Sequence, residues 1–434
     1  MVSRQTVCLR QLAGNRAREV QFGRWLANAK VTSGELMTNA CARTGEVAAG
    51  RHVLAIQDTT ELNHQAHAGR VSGLGTVGNG SDVGMFLHPL LAVDAADGTC
   101  LGLAHLHHWN RTGKAAANYR QLPIEDKESH RWLEVAEAGK KCLSAASMVT
   151  IVADRESDIY EEWARLPDER THLLTRACRD RMLATGGKLY AWIDAQPAQG
   201  AYCFDAPARP GKRSAHQARL TVRFGRIAIK RPASCPDKNA PERIELSVVE
   251  VKELPDSVVG DEAPIHWRLL TTHRIACVED ALRCVDWYRQ RWNIEQLFRT
   301  LKKQGLNVES SQVETGEGLT KLACLAVQAA VRTMQLTLAR DADSSAQAAD
   351  VFDPEEIEVL QRILPTLEGK TEKQKNPHCP GSLAQAAWVV ARLGGWKGYA
   401  SEAKPGPITM LQGLQRVEAI CQGWKLATKD VCID

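Results

Sequence analysis

The sequence predicts an α/β protein whose sheet-forming region is interrupted by an antiparallel, β-rich insertion and flanked by helical segments at both ends. Three observations predict it. Short apolar runs ending in polar residues recur between residues 53 and 176, period-two alternation takes over between about 180 and 265, and residues 278 to 304 carry a long helical signal without Gly or Pro.

Taken in order, GNRAREVQFGRWLANAKV places apolar residues at roughly helical spacing near the start of the chain. The first strand then opens at Val53-Leu54-Ala55-Ile56-Gln57 and runs into Asp58. Further strand candidates are Met85 to Val93, Cys100 to Ala104, Met148 to Ala153 and Leu173 to Arg176. Met148 to Ala153 leads through Asp154 into the helix-like Asp158-Ile159-Tyr160-Glu161-Glu162-Trp163. Arg219 to Phe224 and Arg226 to Lys230 alternate polar and apolar on either side of Gly225, which predicts an antiparallel hairpin with a basic face. Trp267 to Leu270 reads as a strand, residues 278 to 304 as one helix and 320 to 340 as another. Acidic residues 353 to 358 and the Lys/Pro/Gly segment 369 to 381 read as linkers. Ser382 then caps a final helical unit holding Trp388, Trp396 and Trp424.

At 434 residues the chain exceeds one ordinary core. The patterns divide it into a short basic helical region (1–50), a first sheet-forming part (51–179), the β-rich basic insertion (180–265), a second part with the Glu295 helix (266–345) and a helical C-terminal region (346–434).

The 13 cysteines are odd in number and contain no C-x-x-C pair, so they fit neither a disulfide framework nor a zinc site and read as reduced thiols of a cytoplasmic protein. No apolar run reaches the roughly 18 residues that span a membrane, and MVSRQTVCLRQLAG lacks a signal-peptide core. No membrane partner is expected. A net charge of +4 conceals an uneven distribution: residues 1–52 carry eight Lys/Arg against three acids, and residues 176–231 twelve against three. Such surpluses suit a polyanion, although a solvated basic face explains them as simply.

Candidate chemistry sits at the ends of elements. Asp58 and Asp154 each follow an apolar strand, where a sheet edge holds a carboxylate rigidly; a helix cap is the plainer use of either one. In the long helix, Tyr288, Arg291, Glu295 and Lys302 stand at offsets of 0, 3, 7 and 14, and at helical pitch they share a face within roughly 60 degrees. A solvated salt-bridge face accounts for such charges. The same stripe also joins one metal-binding carboxylate to three groups that hold phosphate: a guanidinium fork, an ammonium and a phenolic hydroxyl.

With AIQDTT around Asp58 and VADRESD around Asp154, the pattern Tyr288-x2-Arg291-x3-Glu295-x6-Lys302 resembles the insertion-sequence-four family of cut-and-paste transposases over about residues 53 to 330. The resemblance implies a ribonuclease-H-like fold and a catalytic, metal-binding triad of Asp58, Asp154 and Glu295 holding two Mg²⁺ or Mn²⁺ ions. Phosphodiester chemistry needs an activated attacking oxygen and a stabilised leaving oxygen, and two hard cations on carboxylates serve both. It implies that water frees a 3′ hydroxyl at the element end, that this hydroxyl forms a hairpin, and that the reopened end joins target DNA. Arg176, Trp267, Tyr288, Arg291 and Lys302 are DNA-contacting by the same resemblance. Trp267 takes the place of a flipped base, although packing at a strand edge would also explain it, and Trp292 lines the pocket or packs the helix. Double-stranded DNA, as terminal inverted repeats and as target, is the implied partner. A homodimer acting at the nucleoid is implied too, with the C-terminal helices supplying its contacts.

Asp58 comes earlier than in fuller members of that family, which leaves a short basic region to recognise element ends. A noncatalytic or truncated regulator of transposition, or a nuclease of the same fold without strand transfer, are the alternatives; the intact triad favours the transposase. Two weaker signals remain. Gly73-x-Gly75-x-x-Gly78 matches a dinucleotide fingerprint but precedes a strand, and His105, His107 and His108 suggest an exposed edge strand or a metal.

Overall fold

The computed structural model describes every residue except 2–3, 112, 114–117, 210, 212, 303–304, 341–345, 400–401 and 429–434. Lys212 of the basic stretch, the last two residues of the helix expected over 278–304, and Cys432 thus lie outside the described residues. Three helices lead the chain: α1 (Leu9–Ala13), α2 (Arg16–Leu26) and α3 (Ser33–Val47). Asn15 caps α2, and Thr32 with Glu35 forms a capping box on α3.

Strand β1 (His52–Gln57) is an apolar run because both its faces are buried: Leu54 and Ile56 enter one core, Val53 and Ala55 the other. After β2 (Thr60–Asn63) and β3 (Gly75–Val77), the long β4 (Asp82–Asp94) returns antiparallel to β1, and β5 (Cys100–Trp109) pairs with the far side of β4. Helix α4 (Arg131–Cys142) crosses to β6 (Met148–Ala153), which lies parallel to β1; α5 (Tyr160–Arg165) leads to β7 (Thr171–Arg176), parallel to β6. Ile56 pairs with Val152. Carrying that register on by two residues sets Asp58 opposite Asp154, at the carboxyl ends of neighbouring parallel strands.

The expected insertion does not stand apart from this sheet. After α6 (Leu189–Asp194), the chain adds β8 (Gly200–Ala206), β9 (His216–Lys230), β10 (Arg243–Glu253) and β11 (His266–Thr271), and β11 pairs antiparallel with β7. The result is an 11-stranded, mostly antiparallel sheet in the order β2-β4-β1-β6-β7-β11-β10-β9-β8, with β3 and β5 also on β4.

The predicted hairpin at Gly225 is instead the middle of β9, whose pairing with β10 runs unbroken from Leu220 to Lys230. The alternation changes phase there for a packing reason. Ala218, Leu220 and Val222 face one core, whereas Ile227 and Ile229 point to the opposite face and enter the other. Gly225 marks the crossover because a Cβ there would lie 2.6 Å from the Trp192 ring.

The helix expected over 278–304 is two helices, α7 (Val278–Gln290) and α8 (Trp292–Leu301). At Arg291 the amide bonds three residues back, to Tyr288, and Ile294 bonds to Arg291 in the same tight fashion, which interrupts the regular α-helical ladder at the residue carrying the guanidinium. The longest helix is α9 (Gly316–Ala339), and it alone among the described residues is long and apolar enough to cross a membrane, contrary to expectation. It runs through the protein core instead: 67% of its most apolar window is buried, and Lys321 on it donates to the carbonyls of Leu26 and Asn28 at the end of α2. Residues 353–358, expected as a linker, begin α10 (Pro354–Leu367): Asp353 and Glu356 form a capping box and Pro354 takes the first helical position. Ser382 caps α11 (Leu383–Leu393) as expected, and α12 (Pro407–Thr428) completes the C-terminal helical unit with its own core.

Glu162 on α5 is buried, with Oε2 accepting from Ser157 Oγ at 2.6 Å and Oε1 without a partner among the described residues. Burial pushes its carboxyl up to about 8 from 4.5, with the Ser157 bond pulling down and the charge of Asp158 pushing up. Between those values the folded protein keeps a proton that the unfolded chain has lost. Stability therefore falls as pH rises through this window, by up to about 1.4 kcal/mol per pH unit. Glu162→Gln should flatten that slope and raise the denaturant midpoint at pH 8.5 but not at pH 4.5. Parallel pH profiles of variant and wild type would refute this.

Candidate active site

Arg291 gathers the site. Its Nη1 donates to Asp58 Oδ2 at 3.0 Å and its Nη2 to Glu295 Oε1 at 2.5 Å, so one guanidinium joins the end of β1 to the first turn of α8. Asp58 Oδ1 accepts from the Thr59 amide at 2.8 Å. Asp154, next to Asp58 by strand register, caps the 3₁₀ turn Arg155–Ser157, its Oδ1 accepting from the Glu156 amide at 2.8 Å. The plain reading of Asp154 as a cap is thus correct, and the same cap aims it at the site.

Charge confirms the proximity. Burial, then the charge of Asp154, raises the Asp58 carboxyl to about 7; Glu295 adds to the rise, while Arg291 and the Thr59 amide oppose it. Tyr288 is buried with its hydroxyl beside Arg291, and burial raises its pKa, with Arg176 and Asp154 also close enough to act on it. The Trp267 ring meets the Tyr288 ring edge-on at 5.8 Å. Arg176, at the end of β7, donates from Nη2 to the carbonyl of His266, the residue before Trp267. Asp58, Asp154, Glu295, Arg176, Trp267, Tyr288 and Arg291 therefore form one contiguous group. Lys302 is separate: it caps the end of α8 with Nζ 3.8 Å from Glu309. Because α8 ends at Leu301, Lys302 falls outside the helix that carries Glu295, and the expected four-residue stripe keeps Tyr288, Arg291 and Glu295 together without it.

An all-oxygen donor set of three carboxylates, one of them destabilised by its neighbours' charge, is the chemistry that a hard divalent cation satisfies. Arg291 now supplies that positive charge between Asp58 and Glu295. Among the described residues no three His, Cys, Asp or Glu side chains converge closely enough to enclose an ion, so a cation at this site requires Arg291 to release its carboxylates.

Sequence reasoning missed the shell behind Asp58. Buried His88 on β4 bonds Thr59 Oγ1 at 2.7 Å and Gln57 Oε1 at 3.2 Å, and Arg131 Nε donates to the same Thr59 hydroxyl at 2.9 Å. A lone histidine in an apolar strand and an arginine at a helix start carry no periodic signal. Part of the basic surplus of the insertion is paired: Arg181, Arg219, Arg223 and Arg226 meet Asp158, Asp256, Glu250 and Glu245. Trp292 lies beneath Arg209, whose guanidinium is 4.6 Å from the ring centre, with Arg299 at 5.9 Å. His105, His107 and His108 line a cleft of about 480 Å³ that α3 roofs over, rather than an exposed edge, and they join no metal-binding group among the described residues. Gly73 and Gly78 of the dinucleotide-like run take positive φ in turns, at 76° and 60°.

Residues 149–332 match the family model described as a transposase DDE domain. The matched stretch holds Asp154, Arg176, Trp267, Tyr288, Arg291, Glu295 and Lys302; Asp58 lies ahead of it and reaches the site through the β1–β6 pairing. The match supports a DDE transposase, a class of enzyme that cleaves and transfers DNA strands and generally uses divalent metal ions. A solved cryo-EM structure, a piggyBac transposase synaptic complex with hairpin DNA, aligns with 90% of this chain and 57% of that one, at 10% identity and a TM-score of 0.34. This chain spans little more than half of that length, and so low a score bears on neither fold nor function.

Proposed function

We propose that the chain is a cut-and-paste DNA transposase of the insertion-sequence-four type, acting in the cytoplasm on nucleoid DNA as a homodimer on paired terminal inverted repeats. The observation that carries this reading is the meeting of Asp58 and Glu295 on Arg291 with Asp154 beside Asp58, from three elements far apart in sequence. Strand order supports the ribonuclease-H-like reading: β5-β4-β1 is an antiparallel meander, and β6 and β7 follow parallel to β1.

Asp58, Asp154 and Glu295 would hold two Mg²⁺ or Mn²⁺ ions, whose chemistry activates an attacking oxygen and stabilises a leaving one. The chain's own groups do the rest. Arg291, freed from the carboxylates, turns its fork to a DNA phosphate, and the Tyr288 hydroxyl donates beside it. Arg176 holds the distorted end, and Lys302 leaves Glu309 for the backbone. Trp267, half-buried with one edge against Tyr288, offers a face on which an extruded base or its vacated stack is compensated.

The test is incubation with Mg²⁺ and DNA bearing the inverted repeats that flank the gene. Nicks, then hairpins, then joined products are expected. Nicks without hairpins would leave a nuclease that lacks strand transfer, and no cleavage at all would overturn the reading. Trp267→Ala should lower hairpin formation about tenfold or more, from the worth of one stacking contact, and spare nicking. Equal loss of both steps would count against base flipping.

A further inference from the structure

Asp58 and Asp154 are oriented by the same device, a backbone amide just downstream of each: Thr59 for Asp58 and Glu156 for Asp154, both at 2.8 Å. The side chains of those two downstream residues converge on one group. Arg131, the first residue of α4, donates from Nε to Thr59 Oγ1 at 2.9 Å and from Nη2 to Glu156 Oε2 at 3.0 Å. Its third arm, Nη1, donates to the Glu128 carbonyl at 2.9 Å, tying the fork to the segment before α4.

The fork is rigidly held. Arg131 is 11% exposed, and its guanidinium carbon lies 5.3 Å and 5.4 Å from the ring centres of Trp109 and Trp132. The polarity of the bonds behind it is self-consistent. Because Arg131 donates to Thr59 Oγ1, that hydroxyl's own proton is free for His88 Nδ1, which leaves His88 Nε2 to donate to Gln57 Oε1. The loop after β1 is thereby fixed from α4, β4 and β1 at once, and Arg131 extends the network to the loop after β6.

We infer that Arg131 is a positioning residue that sets the separation of the Asp58 and Asp154 carboxylates, and so the affinity of their site for a pair of divalent cations, by clamping Thr59 and Glu156 together. The inference rests on the metal-binding role proposed above for the triad. It assigns no contact with DNA or metal to Arg131 itself. Planar, three-armed donation is what lysine cannot reproduce at this position.

The test is Mn²⁺ binding to the DNA-free full chain, read by the EPR signal of free Mn²⁺, on wild type, Asp58→Asn, Arg131→Met, Arg131→Lys, Thr59→Val and Glu156→Gln. Loss of outer-shell support typically weakens a metal site about 10- to 100-fold. Arg131→Met should weaken Mn²⁺ binding within that range, and Arg131→Lys should recover little of it. Thr59→Val, which removes one arm, and Glu156→Gln, which leaves an acceptor but takes away its charge, should each weaken it less. Adding Glu156→Gln to Arg131→Met should cause no further loss. If Asp58→Asn does not change Mn²⁺ binding, the metal-site reading itself fails. If Asp58→Asn abolishes binding but Arg131→Met, or both single-arm variants should Arg131→Met not fold, bind like wild type, the clamp is refuted. Full recovery in Arg131→Lys would refute it as well, since charge alone would then suffice.

Discussion

Asp58→Ala, Asp154→Ala and Glu295→Ala are each expected to reduce Mg²⁺-dependent strand cleavage on the order of a thousandfold or more, while DNA retention on a gel stays within a few-fold of wild type. On the proposed two-ion chemistry, removing one ligand forfeits several kcal/mol of charge stabilisation at the reacting phosphate, and each 1.4 kcal/mol is about tenfold in rate. In the proposed complex, DNA affinity would rest on cationic groups that these substitutions leave in place. The structure adds a second expectation. Asp58 is held against burial and against the charges of Asp154 and Glu295, so Asp58→Asn should fold at least as stably as wild type, because it relieves repulsion while keeping the shape. Cleavage by any of the three alanine variants near the wild-type rate would remove that residue from the site; marked destabilisation by Asp58→Asn would mean that its pairing with Arg291 outweighs the repulsion.

Much of this site was legible because its signals are local. A buried strand followed by an acid, twice over, marks Asp58 and Asp154, and helical spacing ties Tyr288, Arg291 and Glu295. What failed depended on tertiary packing. The break at Arg291 lies among good helix formers, and only the pull of its guanidinium toward Asp58 and Glu295 accompanies it. Gly225 within alternating residues reads as a turn until two cores on opposite faces of β9 are known. The acidic run 353–358 looked like a linker because its charges crowd together in the sequence, yet its capping box and Pro354 are helix-start signals present there. Arg131 and His88 had no signal of their own. They became visible only when β4 and α4 were placed behind the loop after β1.

Counting charges along the sequence gives only part of the picture. The excess of basic residues over 176–231 suggested a wide polyanion face, but several of those guanidinium groups hold the fold together by pairing with acids brought from elsewhere in the chain. A short-range sum registers the base and misses its distant partner. Arg176 and Arg209 of that stretch are placed more specifically, Arg176 on the carbonyl before Trp267 and Arg209 over the Trp292 ring beside Arg291.

The largest stability effect belongs to the innermost of those pairs. Asp158 is fully buried and accepts from Arg181 Nε at 2.9 Å, from Arg181 Nη2 at 2.5 Å, and from the amides of Cys178 and Arg179 at 3.0 Å and 3.1 Å. It thereby anchors the segment that leaves β7 just after Arg176. Arg181→Met would leave that carboxylate charged without its counterion, and a loss of about 3–5 kcal/mol in denaturant unfolding is expected. Asp158→Asn added to Arg181→Met should recover part of the loss, since the charge that made the first change costly is then gone while the side chain can still accept from the two amides. Because the anchored segment follows Arg176, the single variant should also weaken hairpin formation more than nicking, if Arg176 grips the distorted end. A loss below about 1 kcal/mol in Arg181→Met, or no recovery in the double variant, would show that the amides alone hold Asp158 and that the guanidinium is incidental to it.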